Sequence, residues 1–407
     1  MNSNPFNLLN LNDTIVKSLS DNGYIEPTEI QSKAIPLILE NNDIIACAQT
    51  GTGKSAAFCL PMLQKLDNQK KQYGFEGIRG LILAPTRELA VQINNSLDKY
   101  GSATSLNNTA IFGGIPRKVQ IDYLSREIDI LVATPGRLLD LVERGIVDLS
   151  TISMFVLDEA DSMLSLGFID DVKKVIDILP KTRQNLLFSA TMPQEIEELA
   201  QSFLNKPLRI RTQNKIQTST NITQKLYYVE NKDKLNLFLY LIKKSVPESC
   251  FIFVKTKKEA DALSEFLINE GYKSAAIHSN LSQLERQTVL DRFKTKELNI
   301  LVATDVVARG IDIDNVTLVI NYDLPQELDT YLHRIGRTGR ASSQGISLTL
   351  TDPSEYLKIC KIESLIKHKI QVIENHPYIN LSIHKKLFEQ QNNKINKGKK
   401  TKKKKNR

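Results

Sequence analysis

Lys54 and Ser55 close a glycine-punctuated stretch, Ala48-Gln49-Thr50-Gly51-Thr52-Gly53-Lys54-Ser55, that follows an apolar run and precedes a helix-length segment. That context is what a phosphate-binding P-loop requires. Gly51 and Gly53 permit the turn that points backbone N–H groups inward at phosphate oxygens. The following helix adds its positive N-terminal end. Lys54 is suited to neutralise the β- and γ-phosphates of a nucleoside triphosphate, ATP above all, and Ser55 to ligate Mg²⁺. The usual first Gly is Ala48 here, and Gln49, Thr50 and Thr52 fill the rest of the loop.

A second chemical signal lies further along. Asp158-Glu159-Ala160-Asp161 follows the apolar run Met154–Leu157. An Asp at the C-terminal end of a buried strand is placed to hold the Mg²⁺ shell, and an adjacent Glu can orient and deprotonate an attacking water. Standing alone, the four residues also read as a solvated acidic turn. On the same sheet as a P-loop they read as a Walker B carboxylate pair.

Such groups need parallel strands to carry them. Short apolar runs recur at Ile44–Ala48, Leu81–Ala84, Ile128–Ala133, Met154–Leu157 and Asn185–Phe188, and again at Cys250–Val254, Ser274–Ile277, Asn299–Ala303, Val316–Asn321 and Ile346–Leu350. They do not alternate apolar with polar, which suits strands buried on both faces. Helix-length segments such as Glu88–Tyr100, Lys258–Glu270 and Leu284–Phe293 lie between them. This alternation predicts an α/β protein with two parallel-sheet domains. The expected boundaries are residues 1–210, a polar linker at 211–221, a second domain at 222–388 with helices continuing to about Phe388, and a disordered basic tail at 389–407.

The chain has 407 residues and a net charge of +8, but Lys394–Arg407 hold eight Lys, one Arg and no acid. The folded body is therefore nearly neutral, and its basicity argues for nucleic-acid attraction only through the tail. The four cysteines, Cys47, Cys59, Cys250 and Cys360, are far apart and lack metal-ligand spacing, so they are expected as small buried hydrophobes. No apolar run reaches the roughly 18 residues of a membrane span, and the N-terminus lacks a secretory pattern. A cytoplasmic, monomeric protein is the expectation.

Asp-Glu-Ala-Asp after a P-loop resembles the DEAD-box RNA helicases of superfamily 2, and the resemblance runs from about residue 6 to 368. Gly23-Tyr24 through Pro27-Thr28 to Gln31 is similar to that family's Q motif, with Phe6 upstream. Thr86-Arg87, Gly113-Gly114 and Thr134-Pro135-Gly136-Arg137 match its RNA-facing motifs, and Ser189-Ala190-Thr191 its coupling motif. Phe251–Thr256, Gln283 to Arg286, Ala303-Thr304-Asp305 through Asp312, and His333 to Arg340 complete the set in family order. The wording Cys47-Ala48-Gln49 and Asn185–Thr191 is similar to the bacterial RhlE-type subgroup. Ser279 and Asn280 depart from the usual Gly and acidic residue.

The resemblance implies two tandem RecA-like domains and an ATP-dependent RNA helicase. It places Gln31 against adenine, with Phe6 and Tyr24 either beside the base or in ordinary core packing. Thr28 and Gln31 also form a capping box, which needs no ligand. It implies Arg337 and Arg340 as arginine fingers, Asp312 on the ribose or the metal's water shell, and Ser189, Thr191 and His333 as links between cleft closure and RNA. Arg334, Arg337 and Arg340 recur every third residue, and the intervening glycines favour a cleft position for the series. RNA would be held through its backbone, without base reading, by Thr86, Arg87, Gly113, Gly114, Thr134, Arg137, Thr256, Arg286 and Thr304. Mg²⁺ and single-stranded RNA follow as ligands, ribosomal or RNA-decay proteins as partners. The expected action is local, non-processive separation of short duplexes. A DNA translocase and an ATP-gated RNA clamp share the same core and are separated from it by RNA-against-DNA stimulation and by strand displacement.

Overall fold

The computed structural model describes residues 5–48, 51–74, 76–212, 222–245, 247–305, 313, 316–326, 328–339 and 344–379. They fall into two compact units, one running to Thr212 and one beginning at Ile222.

The first unit is a 7-stranded sheet. Its strands are β1 (Ile44–Cys47), β2 (Gly80–Leu83), β3 (Asn108–Ile111), β4 (Ile130–Ala133), β5 (Met154–Leu157), β6 (Gln184–Ser189) and β7 (Leu208–Arg211), in the order β3-β4-β2-β5-β6-β1-β7, all parallel. The interior strands β2, β4, β5 and β6 are buried along their whole length, as unbroken apolar runs require. Alternation sets the two faces: Ile44 and Ala46 enter one core, and Ile45 enters the other. Phe188 of β6 meets Phe58 of the helix Lys54–Tyr73 edge-to-face at 5.0 Å. Such a pair adds about 0.5–1.5 kcal/mol beyond its burial and fixes the P-loop helix on the sheet.

The second unit repeats the plan with β8 (Ile222–Tyr228), β9 (Cys250–Phe253), β10 (Ser274–Ile277), β11 (Ile300–Ala303), β12 (Leu318–Asn321), β13 (Gly345–Thr351) and β14 (Gln371–Val372), in the order β10-β11-β9-β12-β13-β8-β14, again parallel. Tyr227 faces one core, and Leu226 and Tyr228 face the other.

Three expectations change. Arg211 does not open a linker: it is the last residue of β7, paired beside Cys47. Residues 213–221 lie outside the described residues. Among the described residues no helix follows Ile366: Lys367 takes a left-handed conformation (φ 54°) and ends the helix Tyr356–Ile366. The chain then returns as β14 against β8. The stretch 380–388 and the basic tail 389–407 lie outside the described residues. Of the cysteines, Cys59 and Cys250 are buried, whereas Cys47 and Cys360 are only half-buried, Cys47 because its thiol reaches the Ala190 carbonyl at 3.3 Å at the sheet rim. Among the described residues no helix is long and apolar enough to cross a membrane.

Candidate active site

The residues whose types point to nucleotide chemistry lie on the C-terminal rim of the first sheet, where open parallel sheets bind ligands. β1 delivers the P-loop. Gly51 (φ 77°) and Gly53 (φ 90°) are both left-handed, and Gly53 caps the helix Lys54–Tyr73. No acidic residue occupies that helix's first turn. Lys54 is 6 % exposed, and its ammonium makes no hydrogen bond within the protein. A buried ammonium at the positive end of a helix is stable only with an anion to meet it, which is the requirement a polyphosphate fills. Ser55 follows, half-buried. Gln49 and Thr50 lie outside the described residues.

β5 delivers Asp158, 1 % exposed. Burial pushes its carboxyl up to about 7, Lys54 opposes the shift, and Glu159 adds to it. Its Oδ1 accepts the Glu159 N–H at 2.9 Å. Glu159 is held in a left-handed turn (φ 50°), and the Ser162 hydroxyl donates to its Oε2 at 3.1 Å. A non-glycine residue in that region is strained, and here the strain stands at the head of the carboxylate pair. A carboxyl whose charge is disfavoured by burial gains most from a dication. Among the described residues no group of three or more His, Cys, Asp or Glu is arranged to hold a metal by itself. Mg²⁺ takes one or two protein oxygens plus phosphate and water, and Ser55 and Asp158 carry the oxygens that would hold it here.

β6 lies between β1 and β5, ends at Ser189 and leads to Thr191 two residues on. Asp161 Oδ2 accepts both the Thr191 N–H at 2.9 Å and its hydroxyl at 3.1 Å. The Ser189 hydroxyl accepts the Asp161 N–H at 3.2 Å and donates to the Thr191 carbonyl at 2.7 Å. Asp161 was not singled out from sequence. Its place three residues after Asp158, one strand from Ser189, was the available signal.

Gln31 is buried behind the P-loop. Its side-chain carbonyl accepts the Thr28 N–H at 2.9 Å, and its amide donates to the Gly53 carbonyl at 3.1 Å. A primary amide has two donors and two acceptor lone pairs, so one of each remains. Phe6 is 1 % exposed and packs within the core of the first unit. Tyr24 is half-buried and meets Tyr100 edge-on at 5.5 Å.

The other half of the rim, formed by β3, β4 and β2, gathers Gly113, Gly114, Thr134, Thr86 and Arg87. Thr86 caps the helix Arg87–Tyr100, and its hydroxyl accepts the Leu89 N–H at 3.3 Å. Arg87 lies over Gly114 (φ 88°), where a Cβ would fall 1.9 Å from its Nη1. Thr134 caps the helix Pro135–Glu143. Arg137 is tied into the scaffold: it donates to Gln120 Oε1 at 2.5 Å and to the Ile115 carbonyl at 3.1 Å. The helices beginning at Lys54, Arg117 and Pro135 have no acid in their first turns. Lys54, Arg117, Lys118 and Arg137 stand there instead, which favours anions at those three helix starts, whereas the helix Arg87–Tyr100 between them carries Glu88 in its first turn.

In the second unit Thr256 caps the helix Lys257–Asn269 in a box with Glu259. Arg286 is buried and donates to the Leu281 carbonyl at 3.2 Å. Thr304 follows β11, and its N–H reaches the Ile277 carbonyl at 3.4 Å. At the Ser279-Asn280 departure, Asn280 Oδ1 accepts from Lys257 at 2.8 Å, so an amide fills the acceptor's place. Arg334 is turned into the core of its own unit. It is 2 % exposed, forks onto Asp305 at 2.5 and 2.9 Å, donates to Asn321 and the Asp323 carbonyl, and lies 4.9 Å from the Phe253 ring centre. Three-residue spacing placed it on one line with Arg337, but a helix turned it inward. Arg337 is 5 % exposed, and His333 is half-buried on the helix Leu328–Ile335. Asp312 and Arg340 lie outside the described residues.

Fold and rim together define a P-loop nucleotide-binding core followed by a second sheet of the same plan without a P-loop. The family model described as DEAD/DEAH box helicase matches residues 28–199, and that described as Helicase conserved C-terminal domain matches residues 233–342. The DEAD-box ATP-dependent RNA helicase RhpA of Helicobacter pylori is 40% identical over 369 residues, 91% of this chain and 74% of its own length. The DEAD-box ATP-dependent RNA helicase CshA of Bacillus cereus is 42% identical over 365 residues, 90% of this chain and 69% of its own length. Among solved structures, S. cerevisiae Dbp5 bound to RNA and ADP BeF3 aligns with a TM-score of 0.82 at 32% identity, covering 91% of this chain and 96% of that one. The DEAD-box helicase Mss116 bound to ssRNA and UDP-BeF aligns at 0.84 and 30% identity, covering 96% and 83%. The chain belongs to the DEAD-box family of ATP-dependent RNA helicases.

Proposed function

We propose that this chain hydrolyses Mg-ATP on the rim of β1, β6 and β5 and uses the cycle to separate short RNA duplexes locally. The observation that carries this reading is the buried, hydrogen-bond-free Lys54 ammonium on the same rim as the buried Asp158 carboxyl. Lys54 and the P-loop amides would hold the phosphates, and Ser55 and Asp158 a Mg²⁺ ion, which supplies charge neutralisation for phosphoryl transfer. Glu159, held by Ser162, orients the attacking water and takes its proton. Gln31 offers its spare donor and acceptor to adenine. Arg337 and Arg340 stabilise charge on the transferred phosphoryl group when the second unit engages the nucleotide.

Thr86, Arg87, Gly113, Gly114 and Thr134, with Thr256, Arg286 and Thr304, bind the RNA backbone through hydroxyls, amides and cations, which carry no sequence information. Asp161 transmits between the two halves of the rim through Ser189 and Thr191. ATP and single-stranded RNA each favour the same working arrangement, so each raises the other's affinity. The motif wording favours an RhlE-like affiliation, and a cytoplasmic monomer acting on ribosomal or decay complexes is a setting compatible with it.

The test is steady-state ATP hydrolysis by wild type and Glu159→Gln with no nucleic acid, single-stranded RNA, or DNA of equal length. Stimulation by RNA alone, abolished in the variant, is the expected result. Equal stimulation by DNA would overturn the RNA assignment.

A further inference from the structure

The helix Arg87–Tyr100 joins two parts of the first unit that the motifs treat separately. Its N-terminal end is on the RNA-facing rim, with Thr86 as cap and Arg87 over Gly114. Its last residue is Tyr100, whose hydroxyl donates to the Tyr24 hydroxyl at 3.1 Å while the two rings meet edge-on at 5.5 Å. Tyr24 opens the stretch that ends at Gln31. Its own backbone is fixed, since its N–H bonds to the Leu19 carbonyl at 2.9 Å. From there Thr28 and Gln31 lead to the Gly53 carbonyl.

The helix has 14 residues, a span of about 21 Å. Leu89, Ala90, Ile93 and Leu97 bury its length in the core, where close packing transmits a displacement at one end to the other. A second link runs parallel to the first, between the Ser18 and Ser102 hydroxyls at 3.2 Å. Tyr100 is 5 % exposed. Core filling alone would be served by Phe at lower desolvation cost, because a buried hydroxyl must be hydrogen-bonded to be tolerated.

We propose that Tyr100 is a positioning residue: its bond to Tyr24 ties the nucleotide-side segment Tyr24–Gln31 to the helix that carries Arg87, so that the two rims hold their working geometry together. The inference rests on the ATP- and RNA-binding assignment given under Proposed function and adds the route inside one unit. It requires neither residue to touch either ligand.

The experiment uses the full chain and poly(U) as the RNA probe. The quantity is the ratio of the apparent KM for ATP without RNA to that with saturating RNA. Tyr100→Phe, Tyr24→Phe, the double variant and Ile93→Val are compared, with the melting temperature of each. Ile93→Val thins the same helix's core without touching the hydroxyl pair. The expected result is that each Tyr→Phe change lowers the ratio roughly fivefold, that the double variant lowers it no further, and that Ile93→Val leaves it unchanged. A wild-type ratio well above one that persists in Tyr100→Phe overturns this inference alone, as does an equal fall in Ile93→Val. A wild-type ratio of one overturns the RNA-coupling assignment and this inference with it.

Discussion

The side-chain amide of Gln31 donates to the main-chain carbonyl of Gly53 at 3.1 Å, while its carbonyl caps the helix Glu29–Leu39 at the Thr28 N–H. One side chain therefore does structural work at one end and shapes the P-loop at the other. The two are separable by substitution. Glu is a good capping-box residue and keeps the acceptor for Thr28, but it has no N–H for Gly53 and turns a carboxylate toward that carbonyl. Gln31→Glu is expected to keep the cap, to lose about 1–3 kcal/mol through the carboxylate buried against that carbonyl, and to raise the KM for ATP about tenfold or more. Gln31→Ala loses both functions and falls in stability as well. Urea unfolding and ATP kinetics on the same preparations decide it; unaltered KM in Gln31→Glu would show that the amide end is idle.

Gly114 offers a test on the RNA side. An added Cβ would lie 1.9 Å from Arg87 Nη1, and φ of 88° disfavours any side chain. Gly114→Ala must displace the guanidinium and strain the turn by roughly 1–2 kcal/mol. Single-stranded RNA affinity, read by fluorescence anisotropy, should fall about tenfold at fixed salt. Wild-type affinity would mean that Arg87 has no fixed place in binding.

These two cases show what was legible in the sequence and what was not. The P-loop and Asp158-Glu159 could be read because backbone chemistry allows few residue types there, and the interior strands because burial on both faces demands unbroken apolar runs. β3 (Asn-Thr-Ala-Ile) and β7 (Leu-Arg-Ile-Arg) were missed because edge strands are half-buried or exposed and admit polar residues. β14 has only two residues. β8 was hidden in Ile-Thr-Gln-Lys-Leu-Tyr-Tyr, where Gln224 is buried and pairs with the Tyr331 hydroxyl. Asp161 and Arg334 share a different cause. Their types announce charge, but only the fold reveals that their partners, Thr191 and Asp305, lie just past the ends of β6 and β11, far along the chain.

Arg334 should behave as a structural cation. Its fork holds Asp305 through Nε and Nη2, while Asn321 and the Asp323 carbonyl both accept from Nη1. Lys cannot reproduce that planar fork, and removing one partner of a buried charged network costs about 3–5 kcal/mol. Because Asp305 is partly solvated, with a side chain 30% exposed, the lower end applies. Arg334→Lys should shift the unfolding midpoint of the full chain in urea by an amount equivalent to about 2–3 kcal/mol. A shift below about 1 kcal/mol would reclassify the pair as a surface-type ion pair.

Asp158 makes stability and function pull in opposite directions with pH. Burial raises its carboxyl to about 7 in the ligand-free protein, against an ordinary value of 3.8. The folded state thus holds a proton that the unfolded chain releases. Whatever stability the neutral carboxyl permits is fully present below the ordinary value and is lost as pH rises toward 7. Asn imitates the neutral acid at every pH. Without nucleotide or metal, Asp158→Asn should match wild type at about pH 4 and exceed it by on the order of a few kcal/mol at pH 8. A metal-bound nucleotide needs the ionised form, so its affinity for wild type should decline below about pH 7 by up to tenfold per unit. Urea melts across pH, and titration with Mg²⁺ and a non-hydrolysable ATP analogue, test the two halves. A stability gap that does not widen between pH 4 and 8 would mean that Asp158 stays ionised in the folded protein, held by Lys54 more strongly than burial opposes it.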